Sequence, residues 1–159
     1  MKKLFITLVA VLAMTFSAKA QFYAGGSIGL SAFSANGHTS SSFTLNPELG
    51  YDFNDKIAAG ALVELAGSPF AFTVNPYLRW KFAKVNSSKF FTDIMGTIGT
   101  SNDTFIWGIS LKPGILFDIT KKVSFVTRIA AIGFQGAGGE TAFNLNLFNG
   151  ASIGVFYHF

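Results

Sequence analysis

At 159 residues the chain has material for one domain and not comfortably for two. Charged residues make up 13% of it and apolar residues 50%, the former about half the usual globular share. There is no cysteine, which excludes a disulfide framework, a thiolate metal site and a lipid-modified N-terminal cysteine.

Residues 1–20 are read apart from the fold. Met1-Lys2-Lys3 is a basic start, Leu4 to Phe16 a short apolar run, and Ala18-Lys19-Ala20 a small-x-small cleavage site before Gln21. That is the pattern of a secretory signal peptide, and the run is too short to span a membrane as a helix. Without it the formal charge falls from +4 to +1, nine basic residues against eight acidic. The basic balance therefore gives no reason to expect a nucleic-acid partner. Beyond the signal no apolar run reaches the ~20 residues of a transmembrane helix. High apolarity then leaves a soluble apolar β-domain or a transmembrane barrel, whose apolar residues are dispersed by alternation.

From Gln21 onward the chain alternates with a period of two, the strand signature. Gln21 to Phe33 sets Phe22, Ala24, Gly26, Ile28 and Leu30 against Tyr23, Gly25, Ser27, Gly29 and Ser31. Ser34 to Ser42 is polar and reads as a loop by composition. The second strand, Phe43 to Phe53, places Phe43, Leu45, Pro47, Leu49, Tyr51 and Phe53 opposite Thr44, Asn46, Glu48, Gly50 and Asp52, and Asn54-Asp55 turns the chain. Ile57, Ala59, Ala61, Val63 and Leu65 form the oily row of the third, with Gly60 and Glu64 opposite, and Gly67-Ser68-Pro69 forms a loop.

The fourth strand sets Phe72, Val74, Pro76, Leu78, Trp80 and Phe82 against Thr73, Asn75, Tyr77, Arg79 and Lys81. After a turn at Val85 to Ser88, Phe90, Thr92, Ile94, Gly96 and Ile98 face away from Phe91, Asp93, Met95 and Thr97. A loop from Thr100 to Asp103 leads to the sixth strand. There Phe105, Trp107, Ile109, Leu111, Pro113, Ile115 and Phe117 oppose Gly108, Ser110, Lys112, Gly114 and Asp118. Thr120-Lys121-Lys122 turns into Val123, Phe125, Thr127, Ile129 and Ala131, opposite Ser124 and Arg128. Gln135 to Glu140 reads as the last loop. The closing strand carries Phe143, Leu145, Leu147, Ala151, Ile153, Val155, Tyr157 and Phe159 on one row. The other row holds Asn144, Asn146, Gly150, Ser152, Gly154 and His158, interrupted by Phe148 and Phe156. The count is eight strands with no helical period. NPELGYDF, NPYLRWKF and KPGILFDI echo one another around Pro47, Pro76 and Pro113, and proline inside a ladder points to bulges or to shorter strands.

Glu48, Glu64, Arg79, Asp93, Lys112 and Arg128 all fall mid-strand on the polar row, three acids and three bases. A soluble lipocalin-like barrel would turn its charges outward. An apolar outer row around balanced inner charges instead fits a lipid-facing wall with an ion-paired lumen. Aromatics collect in two bands. Phe22, Tyr51, Phe53, Trp80, Phe82, Phe90, Phe117, Phe125, Tyr157 and Phe159 lie near the turns, and Phe43, Phe72, Phe105, Trp107 and Phe143 near the opposite ends. Two such bands suit two membrane interfaces.

The signal peptide, the eight alternating strands and a terminal Phe159 preceded by Tyr157 and Val155 resemble the small outer-membrane β-barrel family of the OmpA/OmpX type, over essentially Gln21 to Phe159. The resemblance implies an all-β, eight-stranded antiparallel up-and-down transmembrane barrel in the bacterial outer membrane, surrounded by lipid and monomeric. It implies an assembly signal at Val155, Tyr157 and Phe159, read by the barrel-assembly machinery. With the chain ending at the barrel, no peptidoglycan-binding domain is expected, and the lack of long outer loops speaks against an adhesin-like role.

Chemistry is sparse. His38-Thr39-Ser40 could be imagined as a nucleophile and base, but a polar loop gives no rigid third group to orient the base. His158 reads as an interfacial polar residue. No metal spacing, phosphate loop or nucleotide motif appears, so no cofactor is expected. The expectation is a non-enzymatic integral barrel with a structural or interaction role. The alternatives are a narrow channel for small solutes, a lipid-modifying enzyme, or a soluble ligand-binding barrel.

Overall fold

The computed structural model describes residues 21–35, 38–67, 70–101 and 103–159. The expected signal peptide lies outside them. Eight strands follow in chain order: β1 (Gln21–Ala35), β2 (His38–Asp52), β3 (Ile57–Gly67), β4 (Phe70–Val85), β5 (Ser88–Ser101), β6 (Thr104–Asp118), β7 (Val123–Ala137) and β8 (Glu140–His158). Each pairs antiparallel with the next, and β8 closes on β1 through pairs such as Ala24↔Tyr157 and Ile28↔Ile153. The fold is a closed, all-β, up-and-down barrel, as the alternation implies. Closure leaves no free sheet edge.

Pleating sorts the side chains. On β4, Thr73, Asn75, Tyr77, Arg79 and Lys81 are buried inside, while Phe72, Val74, Leu78, Trp80 and Phe82 are exposed outside. The same division runs around the wall, with Leu49 at 68% and Ile98 at 56% exposure on the outer surface. Phe22 packs edge-on against Tyr51, Tyr51 against Phe53, and Tyr157 against Phe159, so aromatics cluster at the end where Gln21 and Phe159 lie, the terminal end. At the opposite, far end Phe134 packs against Phe143.

Strands extend further than composition indicates. The described residues of the polar stretch read as a loop at Ser34 to Ser42 are paired backbone, with Phe33↔Ser40 and Ala35↔His38. Gln135 to Glu140 is likewise mostly ladder, and only Gly138 and Gly139 turn, at φ 59° and 91°. A ladder is made of backbone hydrogen bonds, so Ser, Thr and Gly extend it where packing does not object. Positive φ at two successive positions is the geometry of a type I′ hairpin, which glycine adopts without a Cβ penalty.

The three prolines face outward and break ladders, but only one marks a register shift. Around Pro47 the β2–β3 pairing passes from Leu45↔Leu65 to Glu48↔Leu62, and around Pro76 the β4–β5 pairing passes from Val74↔Ile98 to Tyr77↔Met95. Each skips two positions in unchanged register, because proline offers no N–H to that neighbour. At Pro113 the pairing does shift, from Leu111↔Ile132 to Gly114↔Arg128. The extra residue lies in β7 and reverses its parity. Arg128 points inward, and beyond the bulge Ile132 and Phe134 are exposed while Ala131 lines the lumen. Ala131 therefore leaves the oily row to which strict alternation assigns it.

Candidate functional site

The lumen is organised by four side chains from four strands. Arg79 Nε donates to Asp93 Oδ1 at 2.7 Å and its Nη2 to Asp93 Oδ2 at 2.9 Å. Arg128 donates through Nε to the same Asp93 Oδ2 at 3.0 Å and through Nη2 to Glu48 Oε1 at 2.8 Å. A longer bond, 3.4 Å, from Arg79 Nη2 to Glu48 Oε1 closes the ring. All four side chains are essentially buried, at 0–4% exposure. Two guanidinium forks and two carboxylates balance to zero net charge. That balance, with charge-assisted hydrogen bonds, offsets the heavy desolvation of four buried ions.

Aromatic rings enclose the quartet. The Arg79 guanidinium carbon lies 4.2 Å from the Phe91 ring centroid, 5.0 Å from Tyr77 and 5.5 Å from Phe156, so cation–π attraction adds to the ion pairs. The Tyr23 and Tyr77 hydroxyls share a short hydrogen bond. Each ring occupies space that a missing side chain leaves. A Cβ at Gly50 would sit 2.2 Å from Tyr23 Cζ, one at Gly114 2.3 Å from the Thr127 carbonyl oxygen and 2.5 Å from Phe91 Cζ, and one at Gly25 2.1 Å from the Val155 carbonyl oxygen and 2.6 Å from Phe156 Cδ1. Glycines on the polar row are sockets for the aromatics, and Phe156, out of place on that row in the sequence, fills the lumen.

This packed layer separates two hollows. On the far side is a polar cavity of about 280 Å³, bordered by Arg128 and by Glu64 and Lys112. On the terminal side is an open mouth of about 390 Å³. Of the six charges expected in the lumen, Glu48, Arg79, Asp93 and Arg128 are brought into one network. Glu64 and Lys112 face the cavity instead, and among the described residues neither stands in ion-pair contact.

The mouth holds a second set of charges, outside the six expected in the lumen network. Lys81 pairs with Asp52, and Lys89 Nζ with Asp118 Oδ2 at 2.7 Å. His158, on the polar row at the rim, lines this mouth: its Nε2 lies 3.0 Å from Ser124 Oγ and its Nδ1 3.7 Å from Asp52 Oδ2. The order Ser, His, Asp is that of a hydrolytic triad, but the geometry is not. Ser124 Oγ is bonded to Asp118 at 2.8 Å, Ser124 is 1% exposed, and 3.7 Å is beyond hydrogen-bond length. The signal for these rim groups was present as Asp52, Lys81 and Asp118 on the polar rows. Their pairing depends on strand stagger, which alternation does not encode.

No protein-family model matches the chain, and no curated protein matches it. Among solved structures, the barrel is similar to Neisserial surface protein A (NspA), with a TM-score of 0.61 and 14% sequence identity, over 88% of this chain and 99% of that one. At that identity the likeness is one of fold: a closed barrel matched over nearly its whole length.

Proposed function

We propose that the chain is a non-enzymatic integral barrel of the bacterial outer membrane, with a structural or interaction role and a plugged lumen. The observation that carries this reading is the inversion of polarity: large apolar side chains cover the outer wall while the arginine–carboxylate quartet is buried inside. A soluble barrel has no use for Leu49, Ile98 and Trp107 in water, whereas in a bilayer such residues are the favoured surface. The fold neighbour is by name a surface protein, which supports the same location. In this reading residues 1–20 direct export, the termini face the periplasm, Val155, Tyr157 and Phe159 serve the barrel-assembly machinery, and the barrel works as a monomer.

The packed layer at Arg79 favours a barrier over a channel. Protein folded into lipid vesicles and fused to a planar bilayer should leave the baseline conductance unchanged. Sustained stepwise openings would replace the barrier reading with that of a narrow channel.

A further inference from the structure

The far-side cavity is electrically two-sided. Leu45 pairs with Leu65 and Glu48 with Leu62, which sets Asn46 beside Glu64 across the ladder gap on β2–β3. Gly114 pairs with Arg128, which sets Lys112 one inward-facing step further toward the far end on β6–β7. In a closed eight-strand order these two strand pairs stand opposite each other. One wall therefore offers acceptors, the Glu64 carboxylate and the Asn46 amide oxygen. The facing wall offers donors, the Lys112 ammonium and the Arg128 guanidinium.

Two of these groups each leave one buried atom without a protein partner. Asn46 Oδ1 and Arg128 Nη1 make no hydrogen bond, although Asn46 is 5% and Arg128 3% exposed and both border the cavity. A third such atom, Glu48 Oε2, belongs to the quartet one inward-facing step nearer the termini. Buried polar atoms of this kind are satisfied by water or by a ligand. At about 30 Å³ per water the cavity has room for about nine, and so for a small molecule of comparable bulk.

We propose that this cavity binds a small zwitterion of the α-amino-acid class, its carboxylate toward Lys112 and Arg128 Nη1 and its ammonium toward Glu64 and Asn46 Oδ1. Lys112 stands across the β5–β6 ladder from Asp93 and shares the cavity with Glu64; a simple anion would engage the donor wall alone and a simple cation the acceptor wall alone. Only a ligand carrying both charges meets both walls. The inference rests on the lumen and not on the location of the barrel, so it stands or falls separately from the membrane reading.

Calorimetric titration of the folded full barrel in detergent tests it, with L-alanine, acetate and methylammonium as probes. L-Alanine should bind with a millimolar or lower dissociation constant, and each single-charge probe at least tenfold more weakly. Glu64→Gln and Lys112→Met, checked for folding by gel mobility, should each weaken L-alanine at least tenfold. The comparison of probes on the unaltered protein holds whether or not the variants fold. Acetate binding as tightly as L-alanine would make this an anion site and overturn the proposal. Absence of binding by all three would mean that the cavity holds water only, and would overturn it as well.

Discussion

Arg79 ties the lumen layer together through a fork on Asp93, a longer bond to Glu48 and the face of Phe91. Arg79→Met leaves Asp93 and Glu48 short of positive charge in a buried layer, and should cost about 3–5 kcal/mol, read as a lowered urea midpoint. Reversal at Arg79→Glu or Arg128→Glu should cost more, and full tolerance of both reversals would contradict an ion-paired interior. The glycine sockets yield a steric counterpart. Gly114→Val would drive a side chain against the Thr127 carbonyl oxygen, 2.3 Å from the added carbon, and into Phe91, and should destabilise by about 1–3 kcal/mol or more. Gly96→Ala, whose nearest neighbour to the added carbon is Pro76 Cγ at 3.6 Å, should be nearly neutral on steric grounds. Parity made Glu48, Arg79, Asp93 and Arg128 legible as inward residues. It could not show that Glu64 and Lys112 would stand apart from them, because contacts across a barrel depend on strand stagger. Nor could it show that Tyr23, Tyr77 and Phe91 would use the glycines opposite.

The strands themselves were the most legible element, since each carries at least four turns of the alternation. Their limits were not. Ser and Thr at the far end of β2 read as loop because composition counts side chains, whereas the ladder counts backbone partners. β7 hid its bulge for a related reason: after Ile129 the apolar row simply changes parity, and Ala130-Ala131 is neutral to the change. The two-residue hairpin between β7 and β8 offers a direct check on its tightness. Gly139→Val places a β-branched residue at φ 91° and should cost about 1–2 kcal/mol, measurable by urea unfolding. A longer, adaptable loop would absorb the change without loss.

At the scale of the molecule, the outer wall separates a membrane barrel from a soluble one. Ile94 lies mid-strand on that wall at 46% exposure, between Leu78 and Leu111. In a bilayer Ile94→Arg should cost about 2–4 kcal/mol, while Phe82→Arg near the terminal rim should cost about 0–1 kcal/mol. On a soluble surface both changes would fall within about 0.5 kcal/mol of neutral. Folding in vesicles followed by urea titration reads this depth dependence. The most direct measurement is fractionation of cells producing the full chain, with each fraction run on a gel before and after boiling. The account predicts recovery in the outer-membrane fraction, with unboiled protein migrating apart from boiled protein as a folded barrel does. Recovery of the protein in the soluble periplasmic fraction would contradict it.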